Sequence, residues 1–379
     1  MKTVSMRRSS LMSLILGTLS LTPATMFAAT VNITCGGTSD GAAINTAITG
    51  SNPGDTIQFH GTCVTNQTIV LLGKRNYYGD SRNTTTIQQA AGSNLAALLA
   101  SDSWVNNTST AGDPIRIAHL NLDGNSAANS GTSVLVLRSW LSHIEDLAVQ
   151  NAAVDGILIP SASSGGTQLP GTTMPGVNGT EVNSVIDKVW VNHSGANGIH
   201  VVDPGDAITD WFLLDSAVQD SGASAIYLGN AAGWMVRGNH VYGVQNNGIL
   251  ASRCYGTTIE GNYIEQFGTA GGTGNTWYGI IASLAGSAAS VISGNKIFMF
   301  QGVANSANLL YLDVTGHDGA DQATVSDNTI FGHNGSTETG LTYTLGSGTS
   351  IYIASTGNSV QNVATPITVG TGVTKDAGR

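Results

Sequence analysis

The stretch V-R-G-N-H-V at 236–241 returns as I-E-G-N-Y-I at 259–264 and as I-S-G-N-K-I at 292–297. Looser copies follow, V-S-D-N-T-I at 325–330 and S-T-G-N-S-V at 355–360. Polar and glycine-rich residues come after each phrase. A second short apolar run then appears, such as G-I-L-A at 248–251 or G-I-I-A at 279–282. Strands this short, repeated at this length, specify a solenoid, in which each unit buries its apolar side only against its neighbours.

The same frame without Gly-Asn is visible earlier, at 117–122, 144–149, 186–191 and 213–218. Its closest spacing is 23 residues, from Val218 to Val241 and from Val241 to Ile264. That length fits three short strands and three turns per coil. Within a coil, alternate residues face the core. Gly or Asn at a sharp corner supplies left-handed backbone. Asn239, Asn262, Asn295, Asn328 and Asn358 are therefore expected to stack as a structural ladder along the axis. Two stretches break the period, 161–183 and 268–275, and are expected to be loops.

Composition agrees with this reading. The chain has 379 residues, 49 of them glycine, and a charged fraction of only 10%. Helical proteins carry more Glu, Lys and Ala. The hydrophobic fraction of 41% is enough for a core. Few lysines and a net charge of −10 exclude a nucleic-acid partner. They also disfavour a polyanionic sugar unless a bound cation reverses the local field.

The N-terminus reads as a secretory leader over 1–29, leaving one domain at 30–379. Lys2, Arg7 and Arg8 precede a short apolar run at 11–21, and small residues follow at Ala24, Ala28 and Ala29. That run is too short for a membrane span. The expected location is secreted or periplasmic. Export would permit a disulfide between Cys35 and Cys63, with Cys254 left as a buried small residue. Asp40 followed by Ala42, Ala43, Ile44, Ala47 and Ile48 predicts a short helix, which would cap the open end of the first coil.

The chain resembles the right-handed parallel β-helix superfamily, the pectin-lyase-like fold, over nearly the whole of 30–379. The resemblance implies an all-β right-handed parallel β-helix with a short N-terminal capping helix. It does not select an activity, since lyases, hydrolases, epimerases, fructotransferases and tailspikes share this type. In β-helix enzymes the glycan groove runs along an outward column of one sheet. If Ile157, Ile199, Ile226, Ile249 and Ile280 face the core, the outward column is Leu158, His200, Tyr227, Leu250 and Ile281. Asp203, Arg253 and Asp313 are expected just beyond the strand ends, and Asp155, Asn197 and Asn247 just before them.

His200 is the first catalytic candidate. Imidazole can act as a base near neutral pH, and the neighbouring Tyr227 as acid or proton shuttle. The alternative is a surface histidine in a cross-strand stack. Asp155, in N-A-A-V-D-G-I at 151–157, resembles the N-T-D-G-[IF] segment of polygalacturonase-type hydrolases. Ala196 and Asn197 stand where that family continues with paired aspartates. Its mechanism needs acid and base carboxylates flanking the bond. Asp203-Pro204-Gly205-Asp206 resembles the D-P-H-D segment of alginate epimerases, with Gly205 in place of the histidine. It also reads as a plain turn. Asp203, Asp206 and Asp210 offer hard oxygen ligands for Ca²⁺, with Arg253 as base or charge partner. Asn197, Asn247, Trp234, Trp277 and Tyr278 are the candidate sugar contacts. His317 and Asp318 form a further pair in a loop.

These residues point to a polysaccharide lyase or glycoside hydrolase with a polysaccharide substrate, no certain cofactor and Ca²⁺ as an option. The rival is a non-catalytic carbohydrate-binding or surface-adhesion β-helix. Monomer and homotrimer both remain open.

Overall fold

The computed structural model describes residues 28–171, 179–301, 307–317 and 319–376. Most of the expected leader, loop positions 172–178 and Asp318 lie outside the described residues. Beside a two-stranded pair, Glu181–Val182 with Ile208–Thr209, the chain winds as a right-handed parallel β-helix with three long sheets, of 13, 11 and 11 strands. We call them A, B and C, in the order in which each coil visits them. The strand pairs within these sheets are parallel, each strand bonding to its counterpart one coil away. The rise per coil is about 4.8 Å, the spacing of strands in a sheet.

The repeated phrases map onto this geometry. In 236–241 and its copies, the first apolar residue belongs to sheet A and the last to sheet B. Val236, Ile259 and Ile292 stack in register in sheet A, and Val241, Ile264 and Ile297 in sheet B. The asparagine sits buried at the corner between them. Asn239 Nδ2 donates to Asn262 Oδ1 at 2.9 Å, Asn262 to Asn295 at 2.9 Å, Asn295 to Asn328 at 2.9 Å, and Asn328 to Asn358 at 2.8 Å. Each Oδ1 also accepts the backbone N–H of the preceding asparagine. The ladder satisfies polar groups that a corner would otherwise bury without partners.

The Gly-Ile phrase, Ala-Ile at 225–226, lies on the central strands of sheet C. Ile157, Ile199, Ile226, Ile249 and Ile280 stack in register and are fully buried. Close approach of the coils explains the glycine, because a Cβ on Gly156 would lie 2.7 Å from the Gly198 carbonyl oxygen.

A helix at Gly41–Gly50 covers the first coil with Ile44 and Ile48 buried beneath it. The Asp40 carboxylate turns back to accept from the N–H groups of Gly36, Gly37 and Val64. Cys35 and Cys63 are joined in a disulfide, and Cys254 is free and buried. The two irregular stretches leave from opposite edges of sheet C. Residues 161–183 follow the strand Ile157–Pro160, and 268–275 precede the strand Thr276–Leu284. No helix among the described residues is long and apolar enough to cross a membrane.

Candidate functional site on sheet C

Register places Leu158, His200, Tyr227, Leu250, Ile281 and Asp313 in one outward column. Successive members lie one coil apart. The His200 and Tyr227 rings stack with centroids 4.9 Å apart and planes 17° from parallel. Asp155 enters from the corner before the strand. Its Oδ2 lies 3.0 Å from His200 Nδ1, and the carboxylate is buried beneath the partly exposed imidazole. Among the described residues His200 Nε2 has no protein partner, so it is the nitrogen free to meet a ligand.

A second polar ladder holds Asp155 in place. Asn197 donates its backbone N–H and its Nδ2 to Asp155 Oδ1, at 3.0 and 3.1 Å. Asn197 Oδ1 accepts from Ser224 N–H, Asn247 Nδ2 donates to Ser224 Oγ, and Asn247 Oδ1 accepts from Tyr278 N–H. Asn197 and Asn247, expected as sugar contacts, are thus buried rungs of this ladder. Their amides are committed to the axis and orient the Asp155–His200 pair.

Other expectations are corrected. Trp234 is fully buried and stacks on Trp211 at 5.5 Å inside the core, so it presents no face to a sugar. Trp277 packs against the core edge and donates its Nε1 to the Gly271 carbonyl at 2.9 Å. It braces the 268–275 loop. Tyr278 is partly exposed beside the column. Burial raises its hydroxyl pKa, and the nearby Asp313 charge adds to the rise.

Arg253, expected just beyond a strand end, lies inside the strand Ile249–Cys254, two coils from that of His200. It sits at a bulge with left-handed backbone, φ 56°. Its guanidinium meets Asp206 Oδ1 at 2.8 Å and Asn230 Oδ1 at 3.3 Å. The Asp203, Asp206 and Asp210 set does not fit Ca²⁺. Asp203 is buried and already accepts from the N–H groups of Gly205, Ala207 and Ile208 and from Asn230 Nδ2. Asp206 is paired with Arg253, and Asp210 accepts from Thr209 Oγ1 at 2.6 Å. Among the described residues no three His, Cys, Asp or Glu side chains are grouped to hold a metal ion.

Asp313 is more central than expected. It lies inside the strand Asn308–Gly316, on the column itself and four coils beyond His200. Burial raises its carboxyl to a pKa of about 6, opposed by the hydrogen bond from Thr315 and the nearby His317. Counting alternate residues from the apolar Leu312 would have found it. Glu181 and Arg138 had no such signal. Glu181 is fully buried, and among the described residues neither carboxyl oxygen has a partner at good hydrogen-bond geometry; burial raises its pKa strongly, opposed by the Arg138 charge and the Ser139 backbone N–H. Arg138 is fully buried and donates to the carbonyls of Ser103, Thr110, Ser161 and Thr167. It thereby ties the start of the 161–183 loop to the coil before it.

No family model matches the chain, and no curated protein matches it. Solved structures do. The A-module of the Azotobacter vinelandii mannuronan C-5 epimerase AlgE6 aligns with a TM-score of 0.51 and 14% identity. The alignment covers 90% of this chain and 96% of that one. The catalytic domain of a GH87 α-1,3-glucanase aligns with a TM-score of 0.57 and 9% identity, over 92% of this chain and 68% of that one. The Streptococcus pneumoniae surface protein and adhesin PfbA aligns with a TM-score of 0.53 and 12% identity, over 90% and 100%. At these identities the likeness is one of fold, and the fold is the parallel β-helix that the repeat specifies.

Proposed function

We propose that the chain is an exported polysaccharide-cleaving enzyme whose reaction is carried by Asp155, His200 and Tyr227. The observation behind this reading is the buried Asp155 carboxylate 3.0 Å from Nδ1 of an imidazole that stacks on Tyr227. A carboxylate on Nδ1 keeps that nitrogen protonated and leaves Nε2 as the base. The column around it is apolar, with Leu158, Leu250 and Ile281, and Arg253 is engaged elsewhere. Such a surface suits a sugar without free negative charge, such as an esterified uronate.

The chemistry that fits is elimination. His200 Nε2 takes the proton from the carbon next to the ester carbonyl. The electron pair becomes a carbon–carbon double bond as the glycosidic C–O bond breaks. The Tyr227 hydroxyl protonates the departing oxygen. Hydrolysis by two carboxylates fits less well. The carboxylates Asp155 and Asp313 belong to coils five apart, about 24 Å by strand spacing, and such pairs stand about 5–10 Å apart.

The test incubates the purified chain with esterified uronan, de-esterified uronan and neutral glucans, with and without Ca²⁺. Ultraviolet-absorbing unsaturated ends from the esterified polymer are expected. New reducing ends without unsaturation would replace elimination with hydrolysis. Binding without turnover on any polymer would favour a second reading, a surface adhesin, which the likeness to PfbA over that whole chain supports.

A further inference from the structure

Around the corner from sheet C, between sheets B and C, a separate groove of about 440 Å³ follows the axis. Its lining comes from five successive coils and includes Ser126, Asn129, Ala153, His193, Asp220 and Gln245. By strand spacing this is a length of about 19 Å. The groove is open to solvent, and at each end the next coil is bonded onto its floor. The turn after Asn121–Asp123 forms one end, where Ser126 N–H bonds the Asn151 carbonyl at 3.1 Å. At the other end the 268–275 loop bonds directly onto the Gln245 turn, with Ala270 N–H donating to the Gln245 carbonyl at 3.0 Å.

Its titratable groups form a widely spaced pair. His193 Nε2 and Asp220 Oδ2 are 4.0 Å apart, and both side chains are exposed to the groove's solvent. That separation leaves each free to hydrogen-bond a third group. Among the described residues the lining holds no lysine or arginine. It therefore offers one carboxylate, one imidazole, amides and hydroxyls, a set that matches sugar hydroxyls and repels free carboxylates.

We propose that this groove is a second, non-catalytic binding site for a run of uncharged, hydroxyl-rich sugar units. Asp220 would accept from sugar hydroxyls, while His193 and Gln245 complete the hydrogen bonding. The groove would hold a polymer beside the sheet C column without touching the reacting sugar. This goes beyond the reading above and shares with it only a glycan ligand.

The experiment compares the full chain with Asp220→Ala, Ala153→Trp and His200→Ala. Retardation in gels containing esterified uronan or a soluble glucan reports polymer binding, and turnover of a short esterified oligosaccharide reports the column. Circular dichroism confirms that each variant is folded. The expected result is at least a fivefold weaker retardation for both Asp220→Ala and Ala153→Trp, with oligosaccharide turnover unchanged, while His200→Ala keeps its retardation. Full retardation in folded Ala153→Trp and Asp220→Ala would overturn the groove. If no variant turns over any glycan but the loss of retardation persists, the groove stands and the enzymatic reading falls.

Discussion

Asp155 Oδ2 and His200 Nδ1 lie 3.0 Å apart although 45 residues separate them in sequence. One turn of the solenoid, lengthened by the stretch 161–183, brings them together. The carboxylate is the more buried partner, so the pair is built to orient an imidazole from below.

Replacing Asp155 by Asn keeps the shape and removes the charge. Turnover should fall by roughly a hundred- to ten-thousandfold, because Nδ1 no longer has an anion to hold its proton. The substrate KM should change little. Steady-state kinetics on the substrate found in the polymer panel checks this, and a wild-type kcat would remove Asp155 from the mechanism.

Tyr227→Phe keeps the stacked ring and deletes the hydroxyl. If that hydroxyl protonates the leaving oxygen, kcat should fall by about a hundredfold. Substrates with a better leaving group should be affected less. An equal loss on all leaving groups would reduce Tyr227 to a packing partner of His200.

Asp313 should make stability depend on pH. Its folded pKa is about 6 against the usual 3.8, because burial disfavours the charged form. An acid with a raised folded pKa holds its proton more tightly in the folded state. The penalty is absent below pH about 4, grows between pH 4 and 6, and is complete above it. Asp313→Asn should therefore gain about 2–3 kcal/mol relative to wild type at pH 7.5 compared with pH 4. Asn can still accept the Thr315 hydrogen bond. Urea unfolding at the two pH values measures the difference, and parallel pH profiles for the two proteins would refute it.

The asparagine ladder should matter for stability alone. Asn262→Ala strands the Asn239 N–H, the Val236 carbonyl and the side chains on either side. The expected cost is about 3 kcal/mol, from buried polar groups left without partners. Turnover of the folded variant should be unchanged. A loss of turnover with normal stability would give the ladder a role in function.

The fold was legible in the sequence because a solenoid is periodic in one dimension. Each coil meets only its neighbours, and strand residues alternate between core and solvent. The spacing of Val236, Ile259 and Ile292 therefore carried the architecture. The same counting placed Leu158, His200, Tyr227, Leu250 and Ile281 in one column, which register confirms. It missed Asp313 as a column member by reading it as lying beyond the strand end.

What periodicity cannot reach, only the tertiary structure decided. Corners and bulges have no fixed alternation, so where a side chain goes depends on the groups the neighbouring coils place beside it. Trp234 went into the core onto Trp211, Trp277 onto its own loop, and Arg253 at its bulge to Asp206. Asp203 was filled by backbone N–H groups and so had no capacity left for a cation. Sequence by itself determined the β-helix and the strand that carries His200. The pairing of His200 with Asp155, and the ladder that holds Asp155, come from coils stacking at the spacing of a sheet.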